Sequence, residues 1–391
     1  MIRFTTAGES HGKALLAILE GIPAGLALVA EDVNSQLKRR MAGYGRGARM
    51  KIEADAVEFL AGVRAGETLG SPIGMLVENR DWENWSDIMS AEPDVAAGLR
   101  KRHLTRPRPG HADLVGVLKY GRRDARDILE RASARETAAR VACGAVCRRL
   151  LAEFGVEIGS HIVRLGTASV TLPEQLPTPL NESADRSPVR CLDETASQDM
   201  VGAIDEAIRN KDTLGGVAEV VVRGVVVGLG SHVSWDRKLD GRLARAMMSI
   251  HAVKGVEIGL GFAGAATPGS EAHDEITRGE SGALARTSNR AGGLEGGITN
   301  GEPIVMRLAM KPIATLRRPL GTVDLETGEA ARAQSERSDV TAVPAMGVIA
   351  EAMAALVLAQ AMAEKFGGDS LSEMRGNYDG YVEQLGKRWV E

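Results

Sequence analysis

A chain of 391 residues with 44% hydrophobic and 26% charged side chains has material for one large domain or for two to three ordinary ones. A net charge of −4 and an aromatic content of 3% argue against nucleic acid as the main partner, which selects basic faces and stacking platforms. Cys143, Cys147 and Cys191 are sparse, odd in number and free of any CxxC, so reduced thiols and a cytoplasmic compartment are expected. The start, MIRFTTAGESHG, has no apolar core of a signal peptide. The most apolar stretch, 345–363, is interrupted by Glu351 and Gln360, which predicts a buried helix, with no membrane partner. No HxxxH, HExxH or paired-cysteine cluster occurs, so no metal is expected.

In chain order, Gly8 and Gly12 bracket Glu9-Ser10-His11, a tight loop that presents His11 ahead of an apolar strand from Ala14. It is no phosphate-binding P-loop, since the glycine spacing is short and Ala14 follows the lysine. Residues 31–41 read as a helix with acids first and bases last, matching its dipole. Across 38–51 stand Lys38, Arg39, Arg40, Arg46, Arg49 and Lys51 with no acid, and Gly43, Gly45 and Gly47 loosen the chain. A mobile arginine lid over a polyanion and a plain surface loop both fit that pattern. Residues 72–77 read as a strand and 81–85 as an exposed loop.

The stretch 105–140 carries the most chemistry. Pro107 and Pro109 stiffen the approach to Gly110-His111. Arg106, Arg108, Arg131, Arg135 and Arg140 follow within it, which predicts a cationic setting for the histidines and a small anionic ligand. Ser133-Ala-Arg-Glu136 reads as a capping box opening a helix to about Phe154, whose N-terminus suits anions. Residues 172–188 hold four prolines and form a surface excursion or a boundary. Residues 217–227 read as a strand and 239–250 as a helix. The same strand-then-helix order at 13–20 and 31–41 keeps two related α/β halves open. The glycine-rich 288–301 suits close approach to a ligand, with no clear strand before it. A strand at 303–310, a stiff turn at Lys311–Thr315 and a helix to Phe366 closed by Gly367-Gly368 complete the order. Arg337 and Asp339 share a face if extended, as an ion pair or as an anion ligand beside a base. Alone, these features support an enzyme for a phosphorylated, acidic small molecule with histidine acid/base chemistry.

The motifs AGESHG (7–12), GYGRGARM (43–50), RPGHAD (108–113), ERASARETAAR (130–140), GGLEGG (292–297), MKPIAT (310–315) and RSDVTAVPA (337–345), in this order, together resemble chorismate synthase. The resemblance runs from Met1 to about Phe366 and implies an α/β (α+β) fold, a β-α-β sandwich with helices between two antiparallel sheets. It implies one domain over 1–391 and a homotetramer. The implied reaction is a lyase step, 5-enolpyruvylshikimate 3-phosphate to chorismate and phosphate by anti-1,4-elimination with reduced FMN. This is the last common step of the shikimate pathway to the aromatic amino acids.

The same resemblance assigns residues. His11 would be the general acid at the departing phosphate, His111 the imidazole at the N1–C2 carbonyl edge of reduced FMN, and Asp339 the carboxylate near flavin N5. Flavin contacts would fall on Arg131, Ala132, Ser133, His251, Ala252, Gly296, Lys311, Pro312, Ile313, Ala314, Thr315 and Arg337. Arg40, Arg46, Arg49, Arg108, Arg135 and Arg337 would hold the phosphate and carboxylates, with Arg40 and Arg46 also at NADP(H)-associated positions. His251 stands where many relatives carry Asn or Gln. NADPH as reductant and a separate flavin reductase are both open. A redox flavoprotein on the same scaffold and a non-catalytic anion- or RNA-binding protein are the alternatives.

Overall fold

The computed structural model describes residues 1–47, 54–93, 103–171, 173, 175–279, 284–334 and 338–387; the candidates Arg49 and Arg337 lie outside them. One sheet contains β1 (Arg3–Ala7), β2 (Ala14–Glu20), β3 (Val57–Ala61) and β4 (Ile73–Glu78) in the antiparallel order β1-β2-β4-β3. Alternation decides its faces. Leu15, Ala17 and Leu19 pair with Val77, Met75 and Ile73 and are buried, whereas Leu16 and Ile18 point outward. On the inner face lie α1 (Ala30–Met41) and, beyond α2 (Asp113–Tyr120), the helix α3 (Thr137–Ala152).

The second sheet is built from β5 (Glu157–Leu165), β6 (Ala168–Ser169), β7 (Gly216–Arg223), β8 (Val253–Ile258) and β9 (Ile304–Met310), in the order β8-β9-β7-β5-β6, all antiparallel. The valine run of β7 is buried throughout, as a central strand covered on both faces requires. Its one buried acid, Glu219, sits opposite His161 and Arg307 in the register and bonds both, at 3.0 Å to His161 Nε2 and 2.8 Å to Arg307 Nε. Helices α4 (Glu194–Asn210), α5 (Leu239–Met248), α6 (Val343–Phe366) and α7 (Leu371–Lys387) complete the order. Alpha6 packs on β5 and β7 on one side and on α3 on the other, so the helices fill the space between two sheets, the expected sandwich.

Among the described residues, α6 is the one helix long and apolar enough to cross a membrane, and 94% of its most apolar window is buried in the protein. It is apolar all round because it has neighbours all round. Pro344 opens it and Gly367, at φ 62°, ends it. Its approach to α3 is set by Gly144, where an added Cβ would lie 2.6 Å from the Ala352 carbonyl oxygen. Gly144→Ala therefore destabilises. The helix-propensity gain of about 1 kcal/mol is outweighed by overpacking of about 1–3 kcal/mol against backbone that has nowhere to move. Thermal unfolding reads the sign: Tm falls, and an unchanged Tm would show that the two helices separate freely.

Two stretches differ from expectation. Within 172–188, a short helix at Leu180–Ala184 packs on β5 with Leu180 and Ala184 buried, so this part is anchored. A strand, Leu284–Arg286, does precede the glycine-rich 288–301, which itself forms a hairpin of Leu294–Glu295 with Ile298–Thr299. Gly296 and Gly297 both have φ > 0 in its two-residue turn, the conformation glycine accepts there.

Candidate active site

His11 lies in the tight turn between β1 and β2. Gly8 permits that turn at φ 106°, where a Cβ would press on Leu15. Asn79, at the end of β4, clamps the loop by donating from Nδ2 to the Glu9 and Gly12 carbonyls at 3.1 and 2.6 Å. The arginine-rich sequence predicts a cationic surrounding for His11, yet its closest charged partner among the described residues is a carboxylate. Both oxygens of Glu130 lie 2.9–3.0 Å from Nδ1, and the His11 backbone N–H also donates to Glu130 Oε2 at 2.9 Å. Trp85 stacks on the imidazole with 3.8 Å between ring centroids. The segment at 81–85, expected as an exposed loop, is a 3-10 turn that ends in this Trp85, only 9% exposed. An indole buried against a second ring contributes more here than in solvent.

The start of α3 carries arginines expected to face an anion. Ser133 caps, but it accepts from Arg135 N at 3.3 Å and opens a 3-10 turn, Ala134–Glu136, ahead of the helix proper. Glu136 does not reach back to Ser133; its Oε1 accepts from Thr6 Oγ1 and Arg140 Nε, at 3.0 and 2.9 Å, because ionic partners outcompete one backbone N–H. Arg135 is buried, donating from Nε to Asn79 Oδ1 at 2.9 Å and ion-paired with Asp55. Asp55 also meets Arg40 Nη1 at 3.4 Å, and Arg40 donates to Thr137 Oγ1 and the Ala134 carbonyl at 3.0 and 2.9 Å. Burial brings Arg40 down to about 10, with Arg46 and Arg135 pushing the same way against Asp55 and Asp339. Arg46 donates to the Arg40 carbonyl at 3.2 Å and pairs through Nε with Asp339 at 2.9 Å. The Gly47 N–H holds the other Asp339 oxygen at 2.6 Å. Among the described residues, three guanidiniums thus face two carboxylates, a local excess of positive charge beside a helix N-terminus.

His111 forms the second imidazole centre. Its Nδ1 lies 2.5 Å from Asp113 Oδ1, the first residue of α2. Arg108 donates from Nε and Nη2 to Asp113 at 2.8 and 3.0 Å and from Nη1 to Thr315 Oγ1 at 2.8 Å. Burial pushes the Asp113 carboxyl up, but His111 and Arg108 more than reverse it, to well below the usual range. Lys311 donates to the Gly110 carbonyl at 2.9 Å, and Ser338 Oγ to the Thr315 carbonyl at 2.8 Å, so 108–113, 311–315 and Asp339 form one unit. Ala314 lies beside Gly110, and Ile313 packs on the main core while its carbonyl accepts from Thr213 at 2.8 Å. Pro312 is exposed.

His251, just past α5, is half-buried, and its Nδ1 has no hydrogen-bond partner among the described residues. Burial lowers its pKa, helped by Arg140, His111 and Arg40 and opposed by Glu136. Ala252 follows at φ 64°. Arg131 spends its guanidinium on β1, donating to Gly8 O, Thr6 O and Thr6 Oγ1 at 2.8–3.1 Å, while Ala132 and Ser133 stay partly exposed beside it. Gly296 is not brought to this group within the chain. Its neighbour Gly297 accepts from Leu239 N at the start of α5, whereas His251 lies beyond that helix's other end, about 15 Å along the axis. Sequence reasoning missed Asp55, Asn79, Trp85, Arg126, Glu130 and Thr137. Glu130 had a signal, its place at the head of ERASARE. Asp55 and Asn79 had none, because they meet Arg135 only through the fold.

Comparison with known proteins agrees over nearly the whole length. The family model described as chorismate synthase matches residues 2–363. Chorismate synthase of Streptomyces coelicolor is 60% identical over 98% of this chain and 98% of its own. That of Desulforudis audaxviator is 57% identical with the same coverage. A solved structure described as the crystal structure of chorismate synthase superposes with a TM-score of 0.79 at 45% identity, covering 98% of both chains. With full-length relatives, the same sandwich and two imidazole–carboxylate pairs around an arginine cluster, the chain belongs to the chorismate synthase family of lyases.

Proposed function

We propose that this chain converts 5-enolpyruvylshikimate 3-phosphate to chorismate and phosphate by anti-1,4-elimination with reduced FMN, the last common step towards the aromatic amino acids. The observation that carries the reading is the pair of imidazoles, each with a carboxylate on Nδ1, flanking a buried cluster with net positive charge. Arg40, Arg46 and Arg135 suit the phosphate and carboxylates of the substrate. His11 donates the proton that neutralises the departing phosphate, and Asp339, oriented by Arg46 and Gly47, would be the carboxylate beside flavin N5 that assists removal of the ring hydrogen.

The residues present fit a flavin. His251 Nδ1 is a buried polar atom without a partner among the described residues, and Lys311, His111 and the Ser133 turn add donors around the site. Reduced FMN, when bound, supplies electron density that eases loss of an allylic phosphate. His111 holds a proton at its ring nitrogens, with Asp113 and Arg108 fixing its orientation. We extend the reading to a cytoplasmic homotetramer of 1–391 domains, with NADPH or a separate flavin reductase as the source of electrons.

The test is anaerobic turnover with chemically reduced FMN, following chorismate absorbance and phosphate release. Equal amounts of both products with no net flavin oxidation are expected. His11→Asn, His111→Ala and Asp339→Asn each lower kcat by about 10²–10⁴-fold, the contribution of a positioned acid or base. No product from folded protein that binds FMN would move the assignment to a redox flavoprotein on the same scaffold.

A further inference from the structure

We propose that Glu130 is the positioning residue of His11, fixing which ring nitrogen gives up the proton, with Trp85 holding the plane of the ring. This rests on the reading of His11 as the general acid. The geometry is specific. Two oxygens of one carboxylate lie 3.0 and 2.9 Å from the same Nδ1, and a carboxylate has no proton to give. Nδ1 therefore carries a hydrogen in both charge states of the ring, and the transferable proton belongs to Nε2.

Glu130 is itself held. Arg126 Nη1 donates to Oε1 at 2.9 Å, the His11 backbone N–H donates to Oε2 at 2.9 Å, and Ser10 N–H donates to the Glu130 carbonyl at 2.9 Å. Burial pushes this carboxyl up, and His11 with Arg126 more than reverses it, so it faces the imidazole as a charge. The His11 and Glu130 side chains are 13% and 2% exposed, where a charge-assisted bond is little screened. Trp85 stacks at an interplanar angle of 21°, its own Nε1 tied to Asp81 Oδ2 at 3.0 Å, and the Arg126 guanidinium lies 5.0 Å from its ring. Arg126 thus links both groups that orient His11.

The step balances simply. The Nε2–H bond breaks, its electron pair stays on Nε2, and the proton joins an oxygen of the departing phosphate. What remains is the neutral Nδ1–H tautomer, already bonded to Glu130, so the ring needs no rotation before it is reprotonated at Nε2. A purely structural anchor for the 8–12 loop would make the same contacts but would not govern the tautomer. Glu130→Gln separates the two roles. The amide keeps the shape and can still accept from the His11 backbone, yet it carries no charge and sets an NH₂ beside Nδ1, so the Nδ1–H tautomer is no longer enforced.

The experiment is ¹H–¹⁵N NMR of the full-length, histidine-labelled protein beside steady-state kinetics. The wild type shows a hydrogen-bonded Nδ1–H far downfield, assigned by its loss in His11→Asn. In Glu130→Gln that signal disappears and kcat falls about hundredfold, the low end of what a positioned acid contributes, while KM changes little. Glu130→Asp, shorter but charged, recovers part of both. A wild-type His11 protonated only at Nε2 overturns the proposal, and needs no variant to fold. Full kcat in Glu130→Gln while His11→Asn is inactive overturns it and spares the general-acid reading. Full kcat in His11→Asn removes both.

Discussion

Replacing Glu351 with leucine lowers stability by more than any other single change proposed for this chain, by at least about 3–5 kcal/mol, the cost of leaving a buried charge without its partner. The side chain projects from α6 and is buried among three guanidiniums. Arg39 meets both its oxygens, at 2.7 and 2.9 Å, Arg148 donates at 2.7 Å and Arg190 at 3.0 Å, with Ser160 Oγ and Asn181 Nδ2 completing the shell. These partners come from α1, α3, β5, the short helix at Leu180–Ala184 and one loop, so one carboxylate joins most of the sandwich. Burial already brings Arg190 down to about 10, with Arg39 and Arg148 pushing the same way against Glu351. Without Glu351, Asp185 is the one carboxylate left among their described ionic partners, on Arg39 and Arg190.

The pH dependence follows from the same contacts. Burial pushes the Glu351 carboxyl up, but Arg39, Arg148 and Arg190 more than reverse it, to well below the usual range. A carboxylate with a depressed folded pKa contributes stability above its unfolded value, about 4.3, and that stability is lost as pH falls towards the folded value. Wild-type Tm therefore drops steeply below about pH 4, and Glu351→Gln removes the share of that drop due to this group. Calorimetry at pH 7 and at about pH 3 on wild type, Glu351→Gln and Glu351→Leu measures both effects. If Glu351→Leu matched wild type at pH 7, apolar packing would have replaced the ionic hub at no cost. The hub also reaches the site, because Arg39 and Arg40 are adjacent on α1: one holds Glu351 and the other Asp55.

What the sequence revealed and what it hid divides by range. The apolar run from Ala14, the strand signal at 72–77, the valines of β7 and the apolar run of α6 are local patterns, and the structure places elements there. His11, His111 and Asp339 were visible through the motifs around them. Asp113, two residues from His111, lay inside the RPGHAD motif, but the pairing of His11 with Glu130 and of Asp339 with Gly47 was not visible, because 119 and 292 residues separate them. A surplus of arginine also misled. Counting cations along the chain predicts a positive setting for His11, whereas folding brings Glu130 to it and sends Arg131 to the backbone of β1. Gly296 illustrates the converse, since its motif is local but its approach to a ligand depends on where the chain carries it. Ser133 and Glu136 had capping-box spacing, yet Arg140 and Thr6 offered the glutamate better partners.

Arg135→Met raises KM for the phosphorylated substrate about ten- to a hundredfold and lowers Tm as well. Methionine keeps the apolar stem of the side chain but neither the guanidinium nor its charge. Two losses follow from the geometry. Asp55, whose side chain is fully buried, keeps only Arg40 at 3.4 Å among its described ionic partners, so the pair that remains is weakly compensated. The local balance of three guanidiniums against two carboxylates becomes even, and the surplus that attracts an anion disappears. A hydrogen bond to a charged group contributes about 1.5–3 kcal/mol, which is roughly ten- to a hundredfold in affinity. Arg135→Lys distinguishes charge from geometry. The ammonium restores the surplus but cannot reach Asn79, Asp55 and the Glu78 carbonyl together as the guanidinium fork does. It should therefore recover part of the substrate affinity while Tm stays low. Anaerobic kinetics and thermal unfolding on the same preparations decide the point: a lower Tm with unchanged KM in Arg135→Met would reduce Arg135 to a structural partner of Asp55. A KM that rises in methionine and partly recovers in lysine would show that this cluster meets the anion directly.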